Sequence, residues 1–273
     1  MATLLRPLTL GELLDRAFQL YRSRFATFAG IAAVAYLPVF VIQTMRLWAP
    51  KGASLGTVTA VGIVALVVLV LRLLAVAAAT SATIMVVSAA YLEQPITVRE
   101  AYQRVSGMLL RVFFIMIGMG IGISIGLVLL IVPGVVLFLM WGLTIPVAVL
   151  EDTGLGDSLS RSRQLTAGHR ARVFAIYALY FVLLIAIYMA LVTPLGAFIA
   201  LQGRHATPDS FSPLIMVVSL VLGFIIECLV TPILTISLSL MYYDERVRKE
   251  AFDIQLMMSA LGEGPPASTA ANA

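Results

Sequence analysis

From residue 25 onward the chain is a succession of apolar runs of membrane-spanning length, and this constrains its fold more than any other feature. Six runs are readable, at about 25–45, 58–92, 112–132, 135–150, 173–199 and 214–243. A hydrocarbon core of about 30 Å needs roughly 20 apolar residues in a helix. The runs lack the period-2 alternation of a membrane barrel. Inside lipid every backbone N–H and C=O must be bonded internally, so helices are the remaining spanning element. A hydrophobic fraction of 61% against 12% charged residues, with a mean hydropathy of +1.03, agrees with an all-α, polytopic membrane helix bundle of six spans.

The polar segments between the runs carry a second pattern. Thr9 followed by Glu12 predicts a reciprocal cap, in which each side chain satisfies a free backbone N–H at a helix start. Leu10, Leu13, Leu14, Ala17, Phe18 and Tyr21 then share one side of a helix and Asp15, Arg16, Gln19 and Arg22 the other, the pattern of a helix lying at a membrane interface. Thr97 and Glu100 repeat the cap, and Arg104 follows Thr97 at the offset by which Arg16 follows Thr9. A weaker third copy opens at Gly154-Leu155-Gly156-Asp157 and places Arg161 at the same offset. We therefore expect three tandem repeats of amphipathic surface helix plus two spans, at about 8–93, 95–151 and 153–243. Residues 244–260 are expected to form a cytoplasmic amphipathic helix, and 261–273 a disordered tail.

The second run is too long for one upright span, so it predicts one long or broken helix. Pro133-Gly134 marks a turn between the third and fourth spans. Gly118, Gly122 and Gly126 recur at four-residue spacing and predict close approach of another helix; Ala75 and Ala79 form a matching small-residue stripe in the second run. With six spans, all but Arg46, Lys51, Arg72 and Arg204 of the 18 basic residues fall on the side that holds both termini. By the positive-inside rule that side is the cytoplasm. The same rule accounts for the basic pI of about 9.4 without nucleic acid as a partner.

Three segments together resemble one family: Leu5 to Phe18, with its Leu-Arg-Pro-Leu-Thr-Leu-Gly-Glu opening; Val132-Pro133-Gly134 with Glu151 and Asp157-Ser158-Leu159-Ser160-Arg161; and Tyr242-Tyr243-Asp244-Glu245-Arg246 onward. The chain resembles the bacterial glycerophosphoryl diester phosphodiesterase membrane-domain family. In some relatives this membrane part is fused to a soluble barrel carrying the metal and catalytic residues, and the chain has no room for such a barrel. The resemblance implies a multi-pass bacterial inner-membrane protein without a catalytic domain.

Candidate chemistry is sparse. Gly52-Ala53-Ser54-Leu55-Gly56 matches the nucleophile-elbow spacing, and His205 and Asp209 complete a formal triad, but that motif needs a strand-to-helix turn beneath a sheet. Cys228 is the single cysteine, and two histidines are too few for a metal site. No cofactor is expected. Glu227 is different, because an ionisable side chain within a span is by default a functional-site hypothesis. Counted from the cytoplasmic ends of their spans, Glu227 and Arg72 differ in depth by about 6 Å, which allows an intramembrane polar pair. Arg16, Arg22, Arg24, Arg104, Arg161, Arg163 and Arg170 are candidate contacts for lipid headgroups, anionic ones included, at about 1 kcal/mol each near the membrane. The leading expectation is a non-enzymatic scaffold or modulator of a membrane process, with membrane lipids and a membrane-protein partner. The alternative is a transporter or lipid-handling protein built around Glu227 and Arg72.

Overall fold

A computed structural model describes residues 8–47, 55–202 and 213–250, and these contain helices and no strands. In chain order the helices are α1 (Leu10–Ser23), α2 (Phe25–Arg46), α3 (Leu55–Tyr91), α4 (Val98–Val105), α5 (Leu109–Leu129), α6 (Ile131–Met140), α7 (Thr144–Leu150), α8 (Leu155–Thr166), α9 (Arg170–Gln202) and α10 (Pro213–Glu250). Six stretches are long and apolar enough to cross a membrane, with α6 and α7 together forming one of them.

Both reciprocal caps are present. The Thr9 N–H donates to Glu12 Oε2 at 2.8 Å and the Glu12 N–H to Thr9 Oγ1 at 3.3 Å. Thr97 and Glu100 repeat these distances. The Thr97 N–H, and after it the Thr97 hydroxyl, hold the Glu100 carboxyl below the usual carboxylate range. Leu13, Ala17 and Tyr21 then turn one face of α1 inward, and the Tyr21 hydroxyl donates to Leu229 O at 2.8 Å.

α3 is one unbroken helix of 37 residues, about 55 Å long, and it is used on two faces. Ala75, Ala79, Ala82 and Val86 join Phe28 and Ile31 of α2 and Ile236 and Met241 of α10 in the main core. Ala77 and Ile84 join Val112 and Ile115 of α5 and Ile145 and Ala148 of α7. Small residues on both faces let four neighbours approach one helix.

The glycine stripe of α5 meets different partners from Ala75 and Ala79. A Cβ at Gly118 would stand 2.8 Å from the Leu155 side chain, one at Gly122 2.8 Å from the Trp141 ring, and one at Gly126 3.0 Å from Gly134 Cα. The stripe seats α8 and the return leg of its own hairpin, while α5 meets α3 through Val112 and Ile115. The turn also falls earlier than Pro133-Gly134. Leu130 is the extended residue between α5 and α6, and Pro133 sits in the first turn of α6, where a missing N–H costs nothing.

The return leg breaks between Met140 and Thr144. Pro146 has no N–H for the Gly142 carbonyl, so a continuous helix is lost just upstream. Helix α8 repairs the break. Ser162 Oγ donates to Met140 O at 2.9 Å and accepts from the Leu143 N–H at 3.2 Å, and Thr166 Oγ1 donates to Met140 O at 3.1 Å. Ser158, Ser162, Leu165 and Thr166 are all buried. One face of α8 keeps Asp157, Ser160 and Arg163 exposed, while a Ser/Thr stripe faces inward because unpaired backbone groups await it. Ser162→Ala leaves the buried Leu143 N–H without an acceptor and is expected to destabilise the fold by about 1–3 kcal/mol. Exposed Ser160→Ala serves as the control in thermal unfolding in detergent, and equal melting of the two variants would contradict this role for Ser162.

α10 continues without a break through Glu250. Residues 244–250 of the expected separate helix therefore extend the last span, and 251–260 lie outside the described residues.

Candidate functional site in the membrane bundle

Helices α2, α3, α9 and α10 place a polar cavity of about 250 Å³ among apolar spans. Tyr36 and Gln43 come from α2, two turns apart on one face; Arg72 comes from α3 and Tyr188 from α9; Ser219, Gly223 and Glu227 come from one face of α10 at four-residue spacing. Arg72 Nη2 and Glu227 Oε1 form an ion pair. Phe40 and Phe224 meet at 5.0 Å between ring centroids and wall the cavity. Apolar burial contributes little to helix association where lipid tails are the alternative, so packing and polar contacts carry much of it. A charge pair whose members are 46% and 25% uncovered by protein is neither a closed structural bridge nor two free ions.

The candidate headgroup arginines divide into two groups. Arg24 donates to Gln94 O through both terminal nitrogens at 3.2 Å. Arg161 reaches Glu151 at 3.1 Å and pairs with Glu250. Burial opposes the charge on Arg161, but Glu151 and then Glu250 outweigh it and push its pKa up. Arg170 has a buried Nε without a hydrogen-bond partner. Arg22, Arg104 and Arg163 are exposed, Arg16 half-buried, and none of the four forms an ion pair among the described residues.

A second polar centre was hidden in residues that read as the end of a span. Asp244 and Glu245 are 4% and 0% exposed. Asp244 accepts from the Leu8 N–H at 2.7 Å, from Arg172 at 2.6 Å and from Arg248 at 2.9 Å. Glu245 meets Arg172 at 3.1 Å and His169 Nδ1 at 2.8 Å. Lys249 donates to the carbonyls of Gln164, Leu165 and Ala167 at 2.7–2.8 Å, where a cation also opposes the negative end of α8. These contacts tie the segment before α1, the α8–α9 junction and α10 together. The sequence signal was available in two adjacent acids ending a span opposite Arg172 and His169. Among the described residues no group of three His, Cys, Asp or Glu side chains is placed to hold a metal. Ser54, His205 and Asp209 lie outside the described residues.

No curated protein and no solved structure matches the chain. Residues 113–261, more than half of it, match the family model described as the membrane domain of glycerophosphoryl diester phosphodiesterase. The matched part holds Glu227 and, in Glu151, Arg161, Arg172, Asp244 and Glu245, most of the ion cluster at the far end of α10, while Arg72 precedes it. The chain is an integral membrane protein and belongs to the membrane-domain family of glycerophosphoryl diester phosphodiesterase.

Proposed function

We propose that this is a non-catalytic membrane protein that holds an amphipathic membrane molecule at the Arg72–Glu227 cavity. The observation that carries the reading is an ion pair within the spans that opens onto a polar cavity instead of being closed over by packing. An ionisable pair kept in a span is costly unless used or satisfied, and Tyr36, Gln43, Tyr188 and Ser219 offer further hydrogen-bonding groups around it. The setting we propose is a bacterial inner membrane with both termini cytoplasmic. The helices fall into three tandem copies, α1–α3, α4–α7 and α8–α10. Supporting the repeats are the matching caps at Thr9 and Thr97 and the recurrence of a short amphipathic helix before each pair of spans; the skewed distribution of arginine supports the sidedness.

The test is native mass spectrometry of the protein in a mild detergent. A retained amphiphile is expected, and Glu227→Gln is expected to retain less of it. An empty chain in both forms would remove this reading. Arg72→Gln and Glu227→Gln should each cost about 1 kcal/mol of thermal stability, a figure kept small because the pair is partly uncovered. The double variant Arg72→Glu with Glu227→Arg should recover most of that loss, and additive losses would show that the two side chains do not interact.

A second reading, a scaffold acting through a basic cytoplasmic face, is favoured by the exposure of Arg22, Arg104 and Arg163. A protein partner retained in the same spectra, with no amphiphile, would put it first.

A further inference from the structure

We infer that the amphiphile is a zwitterionic phospholipid, with its headgroup bridging Arg72 and Glu227 and one acyl chain lying along the α9–α10 seam; this rests on the reading above and goes further by naming the ligand class. Two observations meet here. The first is charge. The polar cavity presents one cation and one anion already facing each other. A phosphate joined to an ammonium replaces each half of that pair with an equivalent contact, phosphate to Arg72 and ammonium to Glu227, and leaves no charge unmatched. An anionic headgroup satisfies Arg72 but leaves Glu227 facing a like charge, which desolvation makes costly.

The second observation is a neighbouring apolar cavity of about 320 Å³ between α1, α9 and α10, lined by Phe18, Ile176, Leu179, Leu183, Ile233 and Leu234 among others. The two cavities share the α9–α10 pair. Leu179 lies nine residues before Tyr188, and Leu234 seven after Glu227, so the apolar cavity is displaced along the seam by about 10–14 Å. Tyr180 lines the apolar cavity and Tyr36 the polar one, and both side chains interact with Thr231 between them. A polar end, an apolar end and a joint of three hydroxyl groups match an amphiphile with its long axis parallel to the spans.

The experiment titrates delipidated protein in mild detergent with phosphatidylethanolamine or phosphatidylglycerol of identical acyl chains and counts bound lipid by native mass spectrometry. Phosphatidylethanolamine is expected to bind about tenfold more tightly, the value of one charge-assisted contact. Glu227→Gln should abolish that preference, and Leu183→Trp, which fills the apolar cavity, should weaken both lipids while leaving their ratio intact. If single substitutions unfold the chain, Arg72→Glu with Glu227→Arg keeps one charge of each sign and is expected to keep the preference. Equal binding of the two lipids, or preference for phosphatidylglycerol, overturns the zwitterion assignment while amphiphile binding stands. Loss of binding to neither lipid in Leu183→Trp overturns the seam as the chain site. Binding of no lipid by the native chain overturns the proposed function and this inference together.

Discussion

Asp244→Asn is expected to destabilise the protein by about 3 kcal/mol, the lower end of the range for removing one partner from a buried ion pair. The Asp244 side chain is 1% exposed and serves three donors on three separate segments: the Leu8 N–H, Arg172 and Arg248. An asparagine retains one acceptor oxygen and introduces two N–H donors toward guanidinium groups that are themselves donors only. The expected loss stays at the lower end because Arg172 keeps Glu245 at 3.1 Å and Arg248 is 27% exposed. Exposed Asp157→Asn on α8 is the matched control, with an expected change within about 0.5 kcal/mol. Chemical unfolding in detergent, followed by tryptophan fluorescence, separates the two. Equal stability of both variants would show that the Asp244–Glu245 cluster does not fasten α10 to the segment before α1.

The spans and caps were legible because their signals are local. Thr9–Glu12 and Thr97–Glu100 are three-residue spacings that close on themselves, and the uniform rise of a helix put Arg72 and Glu227 near one depth by counting alone. Partners were less legible. The spacing of Gly118, Gly122 and Gly126 states that something approaches α5, but Leu155, Trp141 and Gly134 are fixed by a turn at Leu130 and a break at Trp141 that spacing does not encode. The inward contacts of α8 were hidden for a related reason. Ser158, Ser162 and Thr166 form a polar stripe that looks the same whether water or a peptide group receives its hydrogen bonds. What turned it inward is the gap after Met140 in another helix, about 20 residues upstream of Ser162 and tied to Pro146. The acids Asp244 and Glu245 marked the end of a span in sequence, and only the fold brought Arg172, His169 and Leu8 to them.

Gly134→Val carries the other large expected effect, a loss of about 3 kcal/mol, at the upper end for overpacking a tight contact. A Cβ at Gly134 would lie 2.5 Å from the Leu127 side chain and 2.6 Å from the Leu127 backbone N. A side chain can rotate away, but the backbone N is held by the helix that contains it, so α5 and α6 must separate. That movement would also disturb the Gly126 and Gly122 contacts with Leu137 and Trp141, which lie along the same seam. Gly120→Ala on α5 is the contrasting change: nothing lies within 4 Å of its Cβ position, and alanine gains about 0.5–1 kcal/mol over glycine in a helix interior. Thermal unfolding in detergent is expected to place Gly134→Val well below the native chain and Gly120→Ala at or above it. Leu127→Ala separates the two halves of the clash, because it removes the side-chain part and leaves the backbone approach in place. Gly134→Ala should therefore remain defective in the Leu127→Ala background. Full rescue there would mean that side-chain crowding alone requires the glycine, and that the hairpin legs are not held together by backbone contact.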